Sequence, residues 1–178
     1  GGATGGEIRV EGAGVRVGES AVLAADAAGS GNGGRIETLA AGDADVAGTL
    51  SARGGAAGGD GGDIEVCGGG TLRFTGFADT AAPSGRIGRL RLDPDQYVID
   101  ATTVGAINGA VADTTVQADQ RIAVQADIQM LTAGVGLTLQ APLIEFHDER
   151  VVRTNGGRLQ LQGDASFLGD VSLNTGGG

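Results

Sequence analysis

The chain has 178 residues, of which 36 are Gly, 40% are hydrophobic and 3% are aromatic; 22 acidic residues face 12 Arg and no Lys, for a net charge of −10. That length allows one domain with a sizeable core, and nothing marks a boundary within it. Such acidity excludes phosphate-backbone binding, which needs clustered positive charge, so no nucleic acid is expected, and no apolar run approaches the roughly twenty residues of a membrane span.

Residues 1–57 read as short strands near Ile8–Val10, Val15–Val17, Ala21–Ala25, Ile36–Leu39 and Val46–Ala52, separated by Gly, Asn and Asp clusters. Gly5-Gly6-Glu7-Ile8-Arg9-Val10 and Gly33-Gly34-Arg35-Ile36-Glu37-Thr38 are the same phrase, a glycine turn expected to need φ > 0 followed by a half-buried strand. Gly61-Gly62-Asp63-Ile64-Glu65-Val66 is its third copy, so Ile8, Ile36 and Ile64 recur at equal intervals, 36 − 8 and 64 − 36 both being 28. Gly14, Gly42 and Gly70 keep that step, as do Val46 with Phe74, Gly48 with Gly76, and Val22 with Leu50. Equal periods of this length mark a solenoid, whose units bury their apolar faces only by stacking. Few aromatics suit it, because facing sheets lie only about 10 Å apart and Val, Ile, Leu and Ala fill the space.

From Gly58 to Pro94 the chain runs through Gly59-Asp60-Gly61-Gly62-Asp63-Ile64-Glu65-Val66, Leu72-Arg73-Phe74-Thr75-Gly76, Ala82-Pro83-Ser84-Gly85 and Gly88-Arg89-Leu90-Arg91-Leu92-Asp93-Pro94. This order resembles the filamentous-haemagglutinin family of two-partner-secretion exoproteins, with its Gly-Gly turn, Val-Glu-Val-Ser-Gly-like strand and Leu-rich Asp-Pro closure. The resemblance covers about residues 58–100. Cys67 stands where Ser is usual, Arg91 interrupts the Leu-rich closure, and no Asn-Pro-Asn secretion-domain motif is present. It implies a right-handed parallel β-helix, export through an outer-membrane partner transporter, and display on or secretion from a Gram-negative cell surface.

Beyond Pro94, Tyr97-Val98-Ile99 is a strand, and residues 101–113 read as a loop or irregular coil. Alternation returns in Val116-Gln117-Ala118, in Ile122 to Ala126, in Leu137 to Ala141, and again in Leu143–Phe146, Leu159–Leu161 and Val171–Leu173. Gln and Thr occupy the outward positions, where stacked coils set them into ladders. The apolar period is two throughout, so no amphipathic helix is expected. The expected fold is a single all-β parallel β-helix over residues 1–178, with 28-residue coils in 1–94 and shorter, irregular ones in 95–178. About 20 to 28 residues per coil gives roughly 6 to 9 coils and a rod of about 30 to 45 Å.

Chemistry is sparse. Gly58 to Val66 fits the first six places of a calcium-binding nonapeptide but puts Glu65 where an apolar residue belongs, and one copy builds no shared calcium site. His147, beside Asp148 and Glu149, is the sole His, too few nitrogens for zinc. Cys67 is the sole Cys, so there is no disulfide framework; it points away from the Ile64/Val66 face, and neither it nor His147 comes with an oxyanion motif. The carboxylate pairs Asp43/Asp45 and Asp93/Asp95 sit in turn-like contexts, bonding their own backbone, and Arg86, Arg89 and Arg91 are expected to pair with carboxylates. No catalytic residue, metal ligand or cofactor is therefore assigned. The expected role is a non-catalytic rod in an adhesin, meeting a glycan or protein receptor; the alternatives are a filament subunit that associates end to end and a polysaccharide-active β-helix enzyme. Gly1 to Gly6 and Asn174 to Gly178 resemble interior turns rather than caps, as in a piece of a longer exoprotein.

Overall fold

The computed structural model describes residues 2–176; Gly1, Gly177 and Gly178, and with them the outermost residues of both turn-like ends, lie outside the described residues. The chain is an all-β parallel β-solenoid of about six turns. The first coil holds β1 (Glu7–Gly12), β2 (Val15–Val17) and β3 (Val22–Ala24), the second β4 (Arg35–Ala40), β5 (Ala44–Val46) and β6 (Thr49–Ser51), and the third β7 (Asp63–Gly68), β8 (Leu72–Phe74) and β9 (Phe77–Asp79). The fourth has β10 (Arg89–Pro94), β11 (Gln96–Ile99) and a short helix α1 (Val104–Gly109), and the fifth β12 (Asp113–Gln117), β13 (Arg121–Val124) and β14 (Ile128–Gln129). β15 (Leu137–Phe146) with β16 (Val151–Arg153), then β17 (Leu159–Phe167) with β18 (Ser172–Asn174), complete the stack.

Every strand pair is parallel, and one apolar column threads the first face. Ile8, Ile36, Ile64, Leu90, Thr114, Leu137 and Leu159 lie over one another, and the sequence interval between neighbours shrinks steadily beyond Ile64. The expected stacking of the first three Ile is thus observed. Ile36 and Ile64 are fully buried, and Ile8, at the end, is half-buried. Thr114 is tolerated in this column because its hydroxyl donates to the Ala112 carbonyl at 3.1 Å and so is not itself left unpaired. Phe74 on β8, Tyr97 on β11 and Phe146 on β15 are the largest fully buried side chains of the core.

The coils shorten because their corners close up. β1 and β2 are separate strands joined through Ala13 and Gly14, only Asp95 separates β10 from β11, and β15 runs through the same corner with a bulge between Gln140 and Leu143. The return loop contracts as well, from residues 52–62 in the second coil to 130–136 and 154–158 later.

Four expectations are corrected. The pairs Gly5-Gly6, Gly33-Gly34 and Gly61-Gly62 do not adopt positive φ, whereas Gly156 of the late Gly156-Gly157 pair does; the other positive-φ glycines are Gly29, Gly58, Gly59, Gly134, Gly163 and Gly169. Gly34, Gly62 and Gly88 are glycine because a Cβ on each would run into the carbonyl oxygen of the glycine one coil before it, Gly6, Gly34 and Gly62 respectively. Close approach of backbones, not turn handedness, excludes side chains there. Secondly, Val22 pairs with Thr49 and is exposed, while Leu50 pairs with Leu23 and is buried; the bend from Val17 to Val22 is longer than its counterpart from Val46 to Thr49, and the register slips there. Thirdly, residues 104–109 form α1, which packs between β9 and β14 and buries Ala106 and Ile107. So short a segment cannot show a helical period. Finally, Asp45 lies within β5 and Asp93 within β10 rather than in turns, and Asp43 accepts the Thr71 amide of the next coil at 2.8 Å rather than bonding its own backbone.

Candidate functional site

The outward face of the β1–β4–β7–β10 sheet carries most of the paired charge. Alternation along each strand sends Ile64 and Val66 inward and Asp63, Glu65 and Cys67 outward, and parallel stacking then sets each outward residue beside its counterparts one coil away. Arg9 reaches Glu37 at 2.7 Å, Arg35 bridges Glu37 and Glu65, Arg89 meets Asp63 at 2.7 Å, and Arg91 meets Asp93 at 2.8 Å. A groove of about 330 Å³ lies among Arg35, Asp63, Glu65, Arg89, Arg91 and Thr115. Each charged side chain of its walls therefore already faces an opposite charge.

At the return loop, Asp60 accepts the Arg86 amide at 2.9 Å and its guanidinium at 3.1 and 2.6 Å. These bonds hold the Asp60 carboxyl below the usual carboxylate range. With Asp63 engaged by Arg89 and Glu65 by Arg35, all three acidic residues of the nonapeptide-like stretch are taken. Millimolar calcium should leave the melting temperature unchanged to within about 1 °C. A rise of several degrees in a calcium titration monitored by circular dichroism would show that these carboxylates exchange Arg for the ion.

Among the described residues, Glu65, Cys67 and Asp93 form the one group of potential metal ligands, their ligand atoms lying within 4.8 Å of one another. The thiol sits 3.6 Å from the Glu65 carboxylate, as a donor to it. Burial, and next the Glu65 and Asp93 carboxylates, push Cys67 up to about 12. Metal binding and nucleophilic attack both need the thiolate, so this arrangement disfavours both. In the folded protein at pH 8, Cys67 should react with a thiol-specific disulfide reagent on the order of a thousandfold more slowly than an ordinary thiol. Stopped-flow measurement before and after urea unfolding checks this, and equal rates would contradict the assigned environment.

The juxtaposition of Cys67 with Asp93 escaped the sequence because the period of the first three coils sets Cys67 over Asp95, whereas the coil that follows is shorter. His147 does not join this group; it follows β15 and its amide donates to the Val124 carbonyl at 3.1 Å. Its neighbour Asp148 accepts the amides of Glu149 and Asp170, both at 2.9 Å, as a corner brace. Asp45 lies between Arg16 at 3.9 Å and Arg73 at 4.0 Å. Arg86, Arg89 and Arg91 pair with carboxylates, as expected.

A further set of residues that sequence reasoning missed works as coil-to-coil braces. Asp26 accepts the Ser51 hydroxyl at 2.6 Å and the Arg53 amide at 2.7 Å; Asp113 accepts the Gly136 amide at 2.7 Å, and Asp127 the Val151 amide at 3.0 Å. The available signal was the recurrence of Asp at coil corners. Gln117, Gln140 and Gln162 lie over one another in successive coils, as expected of the outward Gln, and Gln96 donates to Gln120 at 3.1 Å.

Fold and surface together define a parallel β-solenoid whose outward charges are spent largely on its own neighbours. No family model matches the chain, and comparison with curated proteins and with solved structures returns no match.

Proposed function

We propose that this chain is a non-catalytic structural rod, a β-solenoid segment of a secreted or surface-displayed exoprotein of the filamentous-haemagglutinin kind. In this role it holds a receptor-binding part away from the cell, after export through a partner transporter in the outer membrane of a Gram-negative bacterium. The observation that carries the reading is the pairing of charge along the first face: Arg9 with Glu37, Arg35 with Glu65 and Arg89 with Asp63 link successive coils. Carboxylates that cleave a glycosidic bond need one proton donor and one free base or nucleophile facing an open groove. Here the groove carboxylates Asp63 and Glu65 already face guanidinium groups. Exported display of an acidic, Lys-free solenoid agrees with the residue pattern from Gly58 to Pro94.

Two readouts test the proposal. Incubating the protein with acidic and neutral polysaccharides should release no new reducing ends, and antibody against the rod should label intact cells that make the full-length protein. Reducing ends lost on Asp63→Asn or Glu65→Gln replacement would make the groove an active site, and labelling confined to permeabilised cells would remove the surface role.

A further inference from the structure

We propose that the outward face of β12, β15 and β17 is a binding site for a neutral polysaccharide, whose chain lies along the rod axis with its hydroxyl groups on stacked ranks of Thr and Gln. Parallel pairing sets Thr115 over Thr138 and Thr138 over Gln160, and beside that column it sets Gln117 over Gln140 and Gln140 over Gln162. Alternation along the strands sends Val116, Leu137 and Leu139 inward and leaves these six outward, Gln162 exposed and the others half-buried. One coil earlier the same two columns hold Arg91 and Asp93, which are joined to each other at 2.8 Å. The six residues that follow carry no charge, and none of their side chains makes a hydrogen bond to another protein group among the described residues. Their hydroxyls and amides are left to whatever lies outside the rod.

The surface around the array is concave. Depressions of about 330, 300 and 400 Å³ border it, and between them they take in all six residues. The first two meet at Thr115, and the first and third meet at Gln117. Charge and hydrogen-bonding chemistry select the occupant. An amide and a hydroxyl each donate and accept, as the hydroxyls of a sugar do. The array offers no cation to a phosphate, sulfate or uronate, and the net charge of −10 repels a polyanion, so the glycan is a neutral one. Asp113, which accepts the Gly136 amide, and Arg158 stand on its border, one of each sign.

Other occupants fit this chemistry less well. An extended peptide docks through its backbone on an open strand edge, whereas this face presents side chains. A lipid or an apolar helix needs an apolar surface to cover, and the array has none. A repeating ligand suits the repeat of the ranks, which lie one strand spacing of about 4.8 Å apart, close to the rise of one sugar in an extended glycan. Further coils stacked on the edge of β17 would leave the array open, so the site is the same in a longer rod. Its affinity is about millimolar, because desolvating the polar groups offsets most of what each new hydrogen bond contributes. The inference goes beyond the rod reading and does not rest on it.

Affinity electrophoresis of the full chain through gels containing galactomannan, dextran or mixed-linkage β-glucan, with alginate as the acidic comparison, tests the site. At least one neutral polysaccharide should retard the chain in proportion to its concentration, and alginate should not. Thr138→Val combined with Gln140→Met should weaken that retardation on the order of tenfold, and Gln117→Met alone about fivefold. Both variants should keep the parent's melting temperature to within about 2 °C, since the three positions face outward. Gln96→Met, on β11 and outside the array, should bind like the parent. The proposal is overturned if no neutral gel retards the chain, if alginate retards it as strongly, if both array variants bind like the parent, or if Gln96→Met loses as much as they do. Reducing ends and cell labelling test the rod reading separately, so a failure of binding leaves that reading standing.

Discussion

Replacing Ile64 by Asp should destabilise the solenoid by about 3–5 kcal/mol, the usual cost of a buried charge without a partner. Ile64 is 1% exposed and sits between Ile36 and Leu90 in the core column. The arginines of the same sheet cannot rescue it, because Arg35, Arg89 and Arg91 occupy outward positions, while the neighbours of Ile64 in its inward column are Ile36 and Leu90. An aspartate there would take up a proton rather than remain ionised, and the neutral acid would still lack hydrogen-bond partners. Ile8→Asp is the internal control. The same column position at the end of the stack is half-buried, so the carboxylate reaches water and the loss should be about 1 kcal/mol. Urea unfolding of both variants gives the comparison; equal losses would mean that Ile64 does not occupy the lumen.

The second large effect is a single methyl group. Gly62→Ala should cost about 3 kcal/mol, because its Cβ would collide with the Gly34 carbonyl oxygen and the coils would have to part. The clash is with backbone, so no side-chain rotation relieves it. Gly62 also donates its amide to the Ala52 carbonyl at 2.8 Å, which ties the glycine to the end of the preceding coil's third side. Gly6 holds the same place in the first coil, but a Cβ there meets nothing within 4 Å. Gly6→Ala should therefore be neutral or slightly stabilising, since alanine restricts the unfolded chain. If thermal melts of Gly62→Ala and Gly6→Ala coincide, close backbone approach is not what requires the glycine.

These two positions also show how much was legible beforehand. The alternation Ile64-Glu65-Val66 and the equal steps between Ile8, Ile36 and Ile64 are properties of the chain itself. They specify strand faces and stacking without any knowledge of neighbours, because a side-chain period of two and a constant coil length leave a solenoid as the arrangement that buries every apolar face. Glycine at Gly34 and Gly62 was visible as a repeat, but its cause was not. Positive φ and close backbone approach both select glycine, and which applies depends on the distance to the next coil.

By itself, then, the sequence determined the class of fold, the apolar column from Ile8 through Ile64, and the outward placement of Glu65 and Cys67. Only the tertiary structure decided which residues meet along the rod axis. Cys67 lies over Asp93, and Arg89 over Asp63, because the coil between them is shorter than the two before it; Asp43 braces Thr71 of the next coil, and α1 stands between β9 and β14. The physical reason is that contacts between coils depend on the length of each turn. The contraction of the return loop, from residues 52–62 to 80–88, alters no local pattern, yet it moves every outward side chain of the next coil to a different partner.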